Sequence, residues 1–141
     1  MDGSEHLALS SAASAAIYIA TGDAAAAAAF SVMGVLIDLD HLIDYFRETG
    51  FNVEVKRFLA YFEDQRPRHL WLLLHGFEWM PLTLAGCLLL DPPAWAWAGV
   101  AGWFLHLLLD HRHNQLHPLT YWLVYRARLG FRAGPLFRWK G

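Results

Sequence analysis

Two short runs of this sequence, and a third pair further on, concentrate side chains that hold metals or move protons. The segment Ile37-Asp38-Leu39-Asp40-His41-Leu42-Ile43-Asp44 puts three carboxylates and an imidazole within eight residues. His75 and Glu78 stand three apart, and His106 and Asp110 four apart. Residues at those separations share a helix face, so His75 with Glu78, His106 with Asp110, Asp40 with Asp44 and Asp38 with His41 are expected to act as pairs. Helical bundles build dinuclear carboxylate sites from inward-pointing pairs of this kind. Mixed imidazole and carboxylate ligands suit zinc, manganese or iron, and the lack of thiolates argues against copper(I) and iron–sulfur centres. The single cysteine, Cys87, lies in an apolar run and reads as packing.

Each residue also has a plainer role. Asp44 fits a helix cap or a solvated end, and Glu78 could salt-bridge an arginine. His111 and His113 fit a polar helix exit, His69 an interfacial position and His117, before Pro118, a turn. Those roles account for the residues singly but not for the set, and Asp40, His75 and His106 together read as a metal group.

The elements that must position them are apolar. Hydrophobic residues make up 56% of the 141 and charged residues 17%, against roughly 45–50% and about 25% in soluble domains. Four apolar stretches, about 7–20, 24–46, 70–90 and 94–110, predict an all-α fold: a polytopic membrane helical bundle of four transmembrane helices forming a single membrane domain over 1–141. Thr21-Gly22-Asp23 breaks the first pair and Asp91-Pro92-Pro93 the second, since proline cannot continue a helix. Of Trp71, Trp79, Trp95, Trp97 and Trp103, several fall near span ends, where interfacial aromatics collect, and this favours a membrane over a soluble four-helix bundle. Amphipathic interfacial segments are expected over 51–64 and 118–139. Ionisable groups inside spans are costly and mark function.

All eleven Lys and Arg lie in 47–68 or after 110, and none in 21–23 or 91–93. The positive-inside rule makes the basic side cytoplasmic, with both termini on it. On this topology His6, the Asp38–Asp44 cluster, His75 with Glu78, and His106 with Asp110 all come to one level. The acidic N-terminal residues lack the basic region of a secretory signal, so no cleaved leader is expected. A net charge of −2 gives no reason to expect nucleic acid as a partner.

The order of motifs, His6, then Asp38-Leu39-Asp40-His41, then a central histidine element, then Gly102-Trp103-Phe104-Leu105-His106-Leu107-Leu108-Leu109-Asp110, resembles the membrane-bound metal-dependent hydrolase family. These are small inner-membrane proteins of bacteria and archaea, related in pattern to zinc-dependent phospholipase C. The resemblance covers residues 6–118 and implies that His6, Asp38, Asp40, His41, His106 and Asp110 are metal ligands or their support. The central element departs from the family pattern: Arg68-His69 and His75-Gly76-Phe77-Glu78 stand where His-Arg and Thr-His-Ser are usual, and Ile37 replaces a proline.

The chemistry expected is hydrolysis of a phosphoester at the cytoplasmic membrane face, with a divalent metal (zinc first, manganese or iron otherwise) and Asp38 or Glu78 as base. Membrane lipid is the expected partner. Two other readings compete: a non-catalytic accessory subunit of a larger membrane complex that retains a structural or relic metal site, and a haem protein with His75 and His106 as axial ligands.

Overall fold

The computed structural model describes residues 3–51, 54–63, 67–114 and 116–137, with the side chains of 3–6 and 63 left aside. The fold is all-α. Its helices are α1 (Gly3–Thr21), α2 (Ala24–Leu36), α3 (Leu39–Thr49), α4 (Val55–Glu63), α5 (Trp79–Leu90), α6 (Ala94–His113) and α7 (Leu123–Arg128), followed by a 3₁₀ turn at Gly134–Leu136. Extended pairing among the described residues is limited to two isolated antiparallel bridges, His69 with Arg132 and Leu116 with Phe137. The chain forms two compact units: the first takes residues 1–37 and 77–114, the second 38–76 and 115–141.

The first unit is built from α1, α2, α5 and α6. Gly22 (φ +70°) turns the chain between α1 and α2, and Asp23 caps α2 by accepting from Ala26 N at 2.9 Å, satisfying a helix-start donor. Asp91 (φ +44°) ends α5 in the left-handed conformation, and Pro92-Pro93 leads into α6. Small residues bring α1, α2 and α6 together. A Cβ on Gly102 would lie 2.2 Å from Phe30 O, and one on Gly34 would lie 3.2 Å from Ser10 Oγ. Ser14 Oγ donates to Ala27 O at 2.7 Å, tying α1 to α2. The outer surface of this unit is apolar, with Ile19, Leu88, Leu89 and Leu90 all more than two-thirds exposed.

The second unit is organised by one face of α3. Asp40, Asp44 and Glu48, spaced four apart, run along it and accept the backbone N–H groups of the segment that follows α4. Glu48 takes Arg68 N and His69 N at 2.9 and 2.6 Å. Asp44 takes Trp71 N and Leu72 N at 2.8 and 3.2 Å, and Asp40 takes Leu74 N at 2.9 Å. The segment therefore runs antiparallel to α3. Leu70 and Leu72 pack with Ala133 and Leu136 in a small core flanked by Phe62, Tyr125, Leu129 and Phe137.

Two predicted spans differ from the observed helices. The 24–46 stretch divides at Ile37 and Asp38 into α2 and α3, both turn residues keeping right-handed dihedrals. The 70–90 stretch is helical only from Trp79. Residues 70–78 are apolar enough for a span, but α3's carboxylates take their N–H groups and Leu72 sits at φ +39°, which excludes an α-helix there. Of the interfacial segments, 51–64 contains the shorter α4, and 118–139 contains α7 and the 3₁₀ turn.

Among the described residues one run, Ala24–Thr49, which takes in α2, the turn at 37–38 and α3, is long and apolar enough to cross a membrane, its most apolar window having a mean hydropathy of 1.6. Leu7–Thr21 and Trp79–Leu90 are apolar but shorter.

Candidate metal centre

The second unit gathers Asp38, Asp40, His41 and His75. Asp40 is at the start of α3, one turn before Asp44, and the turn over 72–75 hangs from it. His75 N donates to Leu72 O at 3.0 Å, which closes the turn and sets the direction of the imidazole. His75 is fully buried. Its Nδ1 lies 3.0 Å from Asp40 Oδ1 and 3.1 Å from Oδ2. An ionised carboxylate only accepts, so Nδ1 is the donor to Asp40 and Nε2 lies on the other side of the ring.

That Nε2 faces Asp38 Oδ1 at 3.6 Å, and the same oxygen lies 3.7 Å from His41 Nε2. The two imidazoles stand edge to face with centroids 4.9 Å apart, and Phe62 closes the other side of His41 at 4.9 Å. Asp38, His41 and His75 each offer one ligand atom, all within 4.8 Å of one another. Ligands bound at about 2.1 Å in a tetrahedron stand about 3.4 Å apart, close to the separations found, so this group could hold a metal ion. Burial is graded: the His75 side chain is 0% exposed, that of His41 25% and that of Asp38 45%. The group is closed at its base and reached past Asp38.

Arg126, from α7, supports the group from beneath. It is 0% exposed, and its guanidinium donates to His75 O at 3.1 Å, to Leu72 O at 2.7 Å and to Thr120 O. One planar fork thus fixes the carbonyls at both ends of the turn that presents His75.

The first unit holds a second pinned imidazole. His106 Nδ1 donates to Gly34 O at 2.7 Å, a carbonyl in the last turn of α2. Its Nε2 faces Asp110 Oδ2 at 3.6 Å, and both residues are buried.

The sequence-derived candidates belong to both units. Asp38, Asp40, His41 and His75 come together in one unit, and His106 with Asp110 in the other. Asp40 engages His75 Nδ1 and a backbone amide, the position of a residue that orients a ligand. Glu78 belongs to the first unit and stands at the start of α5, half-buried. Because the helix begins after it, the shared helix face expected for His75 and Glu78 does not exist. His6 lies on α1, but its side chain is outside the described residues. Asp44 is neither a cap nor solvated; it is buried and accepts two backbone amides.

Sequence reasoning passed over Glu48 and Arg126. The signal for Glu48 was present as the third acid in the series 40, 44, 48. Arg126 carried none, being one of several arginines in a basic, aromatic tail.

No family model, curated protein or solved structure matches this chain.

Proposed function

We propose that this chain is a metal-binding protein of the bacterial inner membrane, a phosphoester hydrolase acting near the cytoplasmic face with zinc as its metal. The observation that carries the reading is His75: buried, oriented through Nδ1 by Asp40, with Nε2 directed at Asp38 and beside His41. A carboxylate behind a ligating histidine fixes its tautomer and raises its basicity. Three protein ligands with an open fourth position are the arrangement of catalytic zinc. A divalent ion held by these residues would supply a water of pKa near ~7 and charge to offset that developing on a phosphoester. His75, His41 and one oxygen of Asp38 would bind the ion; the second oxygen of Asp38, the most exposed residue of the three, is assigned the proton transfer, and Asp40 and Arg126 hold the geometry.

The membrane reading rests on Ala24–Thr49, on the exposed leucines of α5 and on the placement of all eleven basic residues outside 21–23 and 91–93. Exposed apolar surface of this kind is costly in water and ordinary in lipid. Four crossings with both termini cytoplasmic are the topology we propose from the placement of the basic residues.

Elemental analysis of the detergent-purified chain, wild type beside His75→Ala, tests the proposal. About one equivalent of zinc, lost in the variant and accompanied by metal-dependent cleavage of bis(p-nitrophenyl) phosphate, is the expected result. A wild type that takes up no metal on reconstitution overturns the reading and leaves the accessory-subunit alternative. Bound metal without hydrolysis removes only the enzymatic part. Release of the chain from membranes by alkaline carbonate overturns the membrane assignment.

A further inference from the structure

We infer that Arg128 and Arg132 form a seat for the phosphate of an anionic phospholipid headgroup, an inference that rests on the membrane reading above. The two residues are four apart but do not share a helix face. Arg128 ends α7, and the chain then reverses through Gly130 (φ +61°) and Phe131 (φ +58°), both left-handed, so that Arg132 returns beside it. The reversal is held rigidly: Leu70 N donates to Phe131 O and Ala133 N to Arg68 O, each at 2.8 Å, with Ala133 and Leu136 buried beneath. Phe131 also stacks on Trp71, with centroids 4.1 Å apart and planes within 15°.

The result is a concavity of about 370 Å³ lined by Arg128, Leu129, Gly130, Arg132 and Pro135. Both arginines are exposed, and among the described residues neither has an ion-pair partner. The described acids of α3 are engaged elsewhere: Asp40, Asp44 and Glu48 take backbone amides, and Asp38 faces the two imidazoles. Two guanidiniums on a fixed backbone, with no ion-pair partner among the described residues, form an anion site. Arginine forks match phosphate oxygens.

The choice of a lipid phosphate comes from what adjoins the seat. On α7, Val124 lies one turn before Arg128 on the same face and is exposed, as are Trp122 and Leu119 just before the helix. A short element with an exposed tryptophan and aliphatics beside arginines is built to lie at headgroup depth. Cytoplasmic leaflets carry the anionic lipids that such arginines attract.

The test uses the full chain in a neutral detergent and measures binding of short-chain phosphatidylglycerol, short-chain phosphatidylcholine and inorganic phosphate by calorimetry. Phosphatidylglycerol is expected to bind the wild type well above the other two. Arg128→Gln with Arg132→Gln should weaken it about 25-fold, and Arg132→Gln alone about 5-fold, from the usual contribution of one basic residue at a lipid surface. Arg112→Gln, an exposed arginine of α6, should leave binding unchanged. Phosphatidylcholine binding equally well overturns the anionic requirement, and inorganic phosphate binding equally well overturns the lipid. An Arg112→Gln loss matching that of the double variant overturns the location. Zinc content measured on the same samples separates this inference from the metal centre: the double variant should keep the wild-type equivalent, so loss of lipid binding and loss of metal are distinguishable failures.

Discussion

Asp40 and His75, thirty-five residues apart, meet through Nδ1 and a carboxylate oxygen at 3.0 Å, while the second oxygen of the same carboxylate holds Leu74 N at 2.9 Å. One side chain thus orients the imidazole and anchors the backbone that presents it. If His75 is a ligand and Asp40 its support, the two differ in a measurable way. His75→Ala should abolish zinc binding, whereas Asp40→Ala should weaken it about 10- to 100-fold, the usual effect of removing a residue behind a ligand. Asp40→Asn, which keeps an acceptor, should fall between. Competition against a chromophoric chelator reads all three, and an Asp40→Ala variant with wild-type affinity would sink the assignment.

Arg126 makes a different kind of prediction because it touches only carbonyls among the contacts described above. Its loss strips His75 O, Leu72 O and Thr120 O of a buried donor. A buried carbonyl left without a partner costs about 1–3 kcal/mol; Leu72 O keeps the His75 N–H, so the other two carbonyls set the loss and Arg126→Met should lower unfolding stability by about 2 kcal/mol or more. Arg126→Lys keeps the charge but not the planar fork, and should recover only part of that loss. Denaturant midpoints in detergent measure both, and a fully recovered lysine variant would show that charge alone matters here.

The parts of this fold that a reader of the sequence could see are those fixed by local rules. Thr21-Gly22-Asp23 and Asp91-Pro92-Pro93 are chemical stops; α1 and α6 lie where the apolar runs beside them require, and α2 starts where its run does. The cluster at Asp38–His41 is visible for the same reason: four adjacent residues share one chain segment. What was hidden is tertiary. Residues 70–78 carry the composition of a helix, and the carboxylates that claim their amides lie some thirty residues earlier in the chain. No local periodicity reports that pairing. Arg126 was hidden by its neighbours, since composition cannot tell one buried guanidinium from the exposed arginines around it.

Glu48 extends the same ladder to a titratable partner. Tyr61, from α4, donates to Glu48 Oε2 at 2.5 Å. Burial, reinforced by that hydrogen bond and by the glutamate's charge, pushes the Tyr61 phenol well above its ordinary value. The folded chain therefore holds this proton more tightly than the unfolded chain, whose tyrosines ionise near pH ~10. The contribution of Tyr61 is present below that pH and is lost as pH rises above it toward the folded value. Wild-type stability should fall more steeply than that of Tyr61→Phe between about pH 9 and 11, with the variant less stable by about 1 kcal/mol at neutral pH. Parallel stability–pH curves would show that the hydroxyl is not the linked group.

The first unit depends on how closely α2 and α6 approach, and one hydrogen atom decides it. At Gly102 a Cβ would lie 2.2 Å from Phe30 O and 3.0 Å from Phe30 C. Both are backbone atoms, so neither can move aside without displacing α2. At Gly86, on α5, a Cβ would meet nothing within 4 Å. Gly102→Ala should therefore lower stability by about 2 kcal/mol or more, in the range of overpacked sites. Gly86→Ala should be neutral or slightly stabilising, since alanine is favoured over glycine within a helix. The Gly102 substitution should also disturb His106, whose Nδ1 partner Gly34 O belongs to the same α2. Thermal unfolding of the two variants side by side checks the packing, and the His106 imidazole resonances in selectively labelled protein check the coupling. Equal stability of the two variants would mean that α2 and α6 do not meet as closely as Gly102 requires.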